Sequence, residues 1–260
     1  MRNSKVLKIM REGGVAISTK CNLDDPRSAI IGAACGFDCV WIDLEHTPLD
    51  IGKVEEFARA VALFDVDLLT RVRKGSYSDM VNPLEADSTG IMIPHLMSLK
   101  EAKDIVYYTK FHPIGRRPID GGNADNLFCI GDMNEYIVKA NQERFNVVQI
   151  EDPEPLDELE EICALEGIDM IFFGPADFSQ GIGDTLNFAN PKLIETRELV
   201  AKTARKYGKF AGTVGSTENF SDLIKLGYNF INITSDVVIL KDIQLKTVEN
   251  LKNQLKNLNK

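Results

Sequence analysis

The chain has 260 residues, 44% of them hydrophobic, ample for one large core and ordinary for a single α/β barrel. Its formal charge of -9 and pI near 5.0 argue against nucleic acid as a partner, because phosphate binding needs lysine and arginine in excess on one face. The opening residues mix basic side chains with too short an apolar run for a signal peptide. No stretch approaches the roughly 18 apolar residues of a membrane span, so a cytoplasmic protein with no membrane partner is expected.

Short apolar runs rich in β-branched and aromatic residues alternate with segments of helical period, the pattern of repeated βα units. Strands are expected over 15–18, 39–43, 67–72, 90–94, 146–150, 170–174, 210–213 and 230–234. Between them, Val54, Phe57, Ala58, Val61 and Ala62 recur at helical spacing, as do Leu156, Leu159, Ile162, Cys163 and Leu165. Eight such units predict a (β/α)8 TIM barrel forming a single domain over 1–260. A doubly wound open sheet is the rival, but no Gly-x-Gly-x-x-Gly follows the first strand. Lys20 and Lys74 fall just past strands in charged, loop-like surroundings, which argues against a lysine Schiff base. Cys35 and Cys39 are four apart, but no second Cys/His pair follows, and the five cysteines read as reduced core thiols rather than metal ligands.

The second strand ends in Asp43-Leu44-Glu45-His46, where a bend would let Asp43 reach the imidazole of His46, a common general acid/base arrangement; a histidine that merely caps the next helix is the plainer reading. Arg71 and Arg73 on the third strand could share a face, with one aimed into the barrel mouth as an anion holder or both at the surface. His95, after the fourth strand, reads equally as a structural residue or a catalyst. The irregular stretch 111–132 is long for a barrel connection, and such loops are more often functional than not. The fifth and sixth strands run into Glu151 and Asp177, acids for which a buried strand has no structural use. Their oxygens suit Mg2+ or Mn2+ better than Zn2+. Gln149 should face the same side as Glu151, and the turn Gly174-Pro175-Ala176 offers backbone N–H groups to a carboxylate. From 236 to 260 a terminal helix carries more apolar surface than a solvated tail requires, so it is expected to dock on its own barrel or on a neighbouring subunit.

Asp43-Leu44-Glu45-His46-Thr47-Pro48, Arg71, Ile93-Pro94, Gly115-Arg116-Arg117, Gln149-Ile150-Glu151 and Gly174-Pro175-Ala176-Asp177-Phe178-Ser179 together resemble the HpcH/HpaI aldolase family of metal-dependent pyruvate aldolases. The resemblance runs from about Gly13 to Leu240. It implies that Glu151 and Asp177 hold Mg2+, Mn2+ or Co2+, that Arg71 holds the pyruvate oxygens, and that His46 with Asp43 forms the acid/base pair. It further implies that Gln149, Gly174 and Ala176 hold the ketoacid, and that Arg117 has a structural or substrate-related role. The implied reaction is reversible cleavage of a 4-hydroxy-2-ketoacid into pyruvate, or a close 2-ketoacid, and an aldehyde, by way of an enolate. A homo-oligomer is implied too, a hexamer built from dimers that exchange their last helices.

Two departures stand out. Glu85-Ala86-Asp87 replaces the family's Asp-x-Gly, and Arg117 is followed by Pro118-Ile119-Asp120-Gly121-Gly122 instead of a Gly- and Ser-containing loop, which would border the aldehyde side of the pocket and change the acceptor. Other readings are a citrate lyase-like enzyme acting on an acyl-CoA, a non-catalytic protein binding a ketoacid and metal, and a phosphosugar isomerase. The acidic chain lacks a basic groove for CoA phosphates. The last reading would need a phosphate cup where Asp236 stands.

Overall fold

Eight parallel strands close into a barrel in sequential order, β1 (Ala16–Cys21), β2 (Cys39–Asp43), β3 (Asp67–Arg71), β4 (Gly90–Ile93), β5 (Phe145–Ile150), β6 (Met170–Phe173), β7 (Phe210–Val214) and β8 (Phe230–Ser235), with β8 pairing back onto β1. The structure, a computed structural model, describes residues 1–258, so the last two positions of the terminal helix expected over 236–260 lie outside the described residues. The helices are α1 (Lys5–Arg11), α2 (Pro26–Ala34), α3 (Ile51–Ala62), α4 (Tyr77–Glu85), α5 (Leu99–Thr109), α6 (Met133–Glu143), α7 (Leu159–Ala164), α8 (Pro175–Gly181), α9 (Pro191–Lys206), α10 (Phe220–Lys225) and α11 (Asp236–Leu258). The expected strands all appear. β1 differs most: it runs three residues further at its C-terminal end than the expected 15–18, because Ser18 and Lys20, which break the apolar pattern, are satisfied inside the barrel by Asn232 and Asp43.

Helix starts follow the chemistry of exposed N–H groups: Asp50, Ser98 and Asp132 each accept from backbone N–H in the first turn of α3, α5 and α6. Alternation along the strands sends one set of side chains inward, including Trp41, Leu69, Met92, Val147, Met170 and Phe172. The other set, including Val148, Ile150, Ile171 and Phe173, packs under the helices. Val6, Leu7 and Met10 of α1 join the inward cluster and close the N-terminal end of the barrel. That helix is tied down by Asp67, whose carboxylate accepts from Ser4 Oγ at 2.6 Å, from the Val6 N–H at 2.9 Å and from the Lys5 N–H at 3.1 Å. With one end plugged, only the C-terminal mouth is left for a ligand.

Helix α11 packs its first turns near β1 and β8, yet it has no buried residue along its length. Cys39 is buried while Cys35 is exposed, so the two do not converge on one site. Among the described residues no helix is long and apolar enough to cross a membrane.

Candidate active site

Glu151 lies one residue beyond β5 and is 1% exposed; Asp177 stands in the first turn of α8, just past β6. Gly174 lets them approach, since a Cβ there would sit 2.5 Å from Glu151 Oε2. Glu151 accepts from Gln149 Nε2 at 2.8 Å and from the His95 N–H at 2.8 Å. Burial pushes its carboxyl up to about 7; the His95 N–H and the charges of His95 and Arg71 pull it down, and the charge of Asp177 pushes it up again. Gln149 Oε1 is buried without a partner. The Gly174 N–H, expected to help hold a ketoacid, donates instead to Ile150 O at 3.1 Å, so Gly174 contributes space and no donor. The Ala176 N–H belongs to the first turn of α8, where the helix itself supplies no acceptor.

Across from these acids stands a buried ion cluster. Asp43 is fully buried and accepts from Arg71 Nε at 2.9 Å and Arg71 Nη2 at 2.6 Å, while Lys20 Nζ lies 2.6 Å from the same carboxylate. Burial alone would raise the Asp43 carboxyl, but Arg71 and then Lys20 outweigh it and hold it well below the usual carboxylate range. Both cations lie over the Trp41 ring, Arg71 at 5.1 Å and Lys20 at 5.2 Å from its centroid. The expected partnership of Asp43 with the His46 imidazole is not formed, because both Asp43 oxygens face these cations. His46 reaches Asp43 only through its backbone N–H, at 3.4 Å, and its half-exposed ring lies 3.5 Å from Glu45. Arg71 points into the mouth as expected, whereas Arg73 turns away to donate to Leu44 O and Leu49 O.

His95 adopts a left-handed backbone (φ 48) and its Nδ1 lies 2.8 Å from Asp152 Oδ2, with Glu45 3.8 Å from Nε2. Desolvation lowers its pKa, but the bond to Asp152 and the charges of Glu151, Asp152 and Glu45 raise it further, for a net rise. A cavity of about 370 Å3 at the mouth is lined by Lys20, Arg71, Gln149, Glu151, Asp177 and Asn232, among others.

The HpcH/HpaI aldolase/citrate lyase family model matches residues 21–242. The chain belongs to this family. A relative in Escherichia coli (strain UMN026), 2-keto-3-deoxy-L-rhamnonate aldolase, is 29% identical over 234 residues, covering 90% of this chain and 87% of its own. An HpcH/HpaI aldolase structure from Desulfitobacterium hafniense superposes with a TM-score of 0.89 at 24% identity, covering 95% of this chain and 96% of that one. Macrophomate synthase superposes with a TM-score of 0.86 at 23% identity, covering 98% and 91%, and like the previous structure speaks for the fold alone. With the named aldolase relatives, membership makes this HpcH/HpaI protein a carbon–carbon lyase.

The donor set fits a hard divalent cation. Among the described residues no three His, Cys, Asp or Glu side chains gather into a cage of their own. Two acids side by side, one whose charged form is disfavoured by burial and by its neighbour's charge, fit a cation that keeps most of its shell for water and substrate.

Arg117 does not belong to this mouth. The loop carrying it follows α5 and precedes β5, which puts it at the N-terminal end of the barrel. There Arg117 Nη2 donates to Asp125 Oδ2 at 3.3 Å and its guanidinium stacks on Phe111 at 4.9 Å. Asp125 in turn takes Arg144 Nε at 2.7 Å and Tyr136 OH at 2.9 Å. Arg144 also binds Asp87 at 2.6 Å. The loop 111–132 therefore does not border the aldehyde side of its own chain's cavity, and Glu85-Ala86-Asp87 lies at this far end too. Lys20, expected just past the first strand, lies inside β1 and faces Asp43, and the partnership of His95 with Asp152 was not expected. Lys20 was recoverable from its odd offset to the apolar Ile17 and its even offset to Ser18, whose hydroxyl donates into the barrel to Asn232. His95 and Asp152 each lie two residues past the end of adjacent strands.

Proposed function

We propose that this protein reversibly cleaves a 4-hydroxy-2-ketoacid into pyruvate, or a close 2-ketoacid, and an aldehyde, with a divalent cation as cofactor. The observation that carries the reading is the buried Glu151 beside Asp177, its carboxyl pushed up by burial, facing the Arg71 cation across one cavity. Glu151 and Asp177 would hold Mg2+, Mn2+ or Co2+. When bound, the cation polarises the keto group and takes up charge as the bond between C3 and C4 breaks.

The chain's own groups supply the rest. Arg71, locked by the two bonds to Asp43, presents its remaining N–H to the ketoacid oxygens and steadies the enolate without having to reorganise. Gln149 and the Ala176 N–H orient the ketoacid head. His46 takes the proton from the C4 hydroxyl in cleavage and returns it in condensation. Its exposed ring is free to meet the substrate, and Asp43 acts on it only by fixing the turn through the Glu45 and His46 N–H groups. Lys20 does not serve as a Schiff-base amine here, because its Nζ is engaged by the Asp43 carboxylate 2.6 Å away.

The test is exchange of the pyruvate methyl protons in D2O followed by NMR, with Mn2+ or Mg2+, with chelator, and in Glu151→Ala. Exchange should require the cation and fall on the order of 10^3-fold in the variant. Binding of cation and pyruvate without exchange would instead favour the citrate lyase-like or the non-catalytic reading.

The protein is further proposed to be a homo-oligomer joined by α11. Ile243, Leu245, Val248, Leu251 and Leu255 of this helix are all more than 45% exposed. An apolar groove of about 410 Å3, lined by Leu23, Ile31, Phe37, Ile239 and Leu240, lies at its base. Light scattering should give a multiple of the 29.0 kDa chain mass, and a monomer would refute the assembly.

A further inference from the structure

The loops after β4 and β5 meet at His95. Its N–H donates to Glu151 Oε1 at 2.8 Å, and Gln149 Nε2 donates to the other oxygen, Oε2, at the same distance, so each oxygen of the carboxylate is held by one donor. The residue that supplies this N–H has a left-handed backbone, with φ 48. A residue with a Cβ stays in that region only where its surroundings hold it.

Three further contacts hold that stretch of chain. His95 Nδ1 lies 2.8 Å from Asp152 Oδ2; an ionised carboxylate only accepts, so Nδ1 carries the hydrogen. The His95 carbonyl accepts from Lys74 Nζ, which is also paired with Glu101 at 3.0 Å. The next N–H, of Leu96, donates to Gln149 O at 3.3 Å. Asp152 directly follows Glu151, so His95 grips two successive acids, one through its backbone and one through its ring. The plainer role for the ring's bond is to tie two loops together. What sets this one apart is that breaking it frees the residue whose N–H fixes Glu151 Oε1.

We propose that His95 and Asp152 form a positioning clip: the bond between their side chains fixes the His95 N–H, and through it the Glu151 carboxylate, in the orientation that receives the cation. Neither residue is itself a ligand; both act through Glu151. A carboxylate oriented beforehand has less freedom to lose when a cation arrives, and removing the partners behind a ligand typically weakens metal binding by about 10–100-fold. This assignment rests on the reading of Glu151 and Asp177 as the end of the cavity that holds the cation.

The experiment is addition of Mn2+ to the full chain without ketoacid, with the free ion followed by electron paramagnetic resonance. Asp152→Ala should weaken binding about tenfold or more. Asp152→Asn removes the charge but keeps an oxygen to accept from Nδ1, so it should stay within about threefold of wild type. Equal losses in the two variants would mean that Asp152 acts by its charge alone, which overturns the clip. His95→Gly permits the left-handed backbone without the ring and should weaken binding as Asp152→Ala does. On that background Asp152→Ala should cost less than about twofold more, because the bond is already gone; a full further loss also overturns the clip. The two side chains are 34% and 22% exposed, so their replacement leaves the core closed, and the Asp152 pair decides the matter by itself if His95→Gly does not fold. Unchanged affinity in Asp152→Ala overturns the clip while leaving the cation site intact. If wild type binds no Mn2+, or Glu151→Ala binds it as tightly, the cation reading of Glu151 fails and takes the clip with it.

Discussion

The two ends of this barrel bury the same kinds of charged side chain to opposite effect. At the N-terminal end Asp125 receives Arg144, Arg117 and Tyr136, Asp87 receives Arg144 with Arg2 3.5 Å away, and Asp67 receives Ser4 and two backbone N–H groups. At the mouth Glu151 accepts from an amide and one backbone N–H, with His95 Nδ1 3.8 Å away, and the charge of Asp177 opposes its own. At the plugged end Asp125, Asp87 and Asp67 are each met by donors from the chain itself. At the mouth the mismatch persists because a ligand is to complete it, which is how a perturbed carboxyl in a cleft marks a functional site.

The comparison breaks most visibly at Arg144, which is fully buried and joins two acids. Arg144→Met strands Asp125 and Asp87 and should lower unfolding free energy by about 3–5 kcal/mol, measured by urea titration. A loss below about 1 kcal/mol would mean that this end is not the matched structural one. Asp43→Asn, in the mouth but paired like a structural acid, should cost about 2 kcal/mol at neutral pH, since Arg71 keeps a contact to Glu45. The Asp43 carboxyl is depressed in the folded state, so its stabilisation is complete above the unfolded value of about 4 and lost as pH falls through the folded one. The gap between wild type and variant should therefore be widest above pH 5 and should close under acid conditions; a gap that widens with acid would reverse the sign and exclude the pairing.

How far the chain could be read follows from the same contrast. The second strand, Cys39–Asp43, was legible at both ends because its apolar run stops at a charge. The first was cut short at Ser18, because polar residues in a barrel mouth bond across to other strands, as Ser18 does to Asn232 and Lys20 to Asp43, and no local pattern reveals those partners. Local sequence suggested an Asp43–His46 pair; Arg71, at the end of the neighbouring strand β3, was not visible as Asp43's real partner. The loop after Arg117 was placed beside the pocket from its motif, although topology alone would have located it, since a segment that follows a helix and precedes a strand lies at the N-terminal end. The acids after β5 and β6 were legible as a pair because α/β barrels set their chemistry on those tips.

The smallest expected effect separates stability from function most cleanly. Glu151→Gln keeps the shape of the side chain and removes a charge that burial and Asp177 both oppose. In chelator at pH 8 the variant should be more stable than wild type by about 1 kcal/mol, because a site kept for a ligand is strained without it. Wild type should then gain about 2.7 kcal/mol when the cation is supplied at a hundred times its dissociation constant, a gain the variant should largely lose. Thermal melts of both proteins with and without Mn2+ read the two quantities together. A variant that is less stable without cation yet gains as much with it would mean that Glu151 is matched by the protein itself, and the mouth would no longer differ from the plugged end.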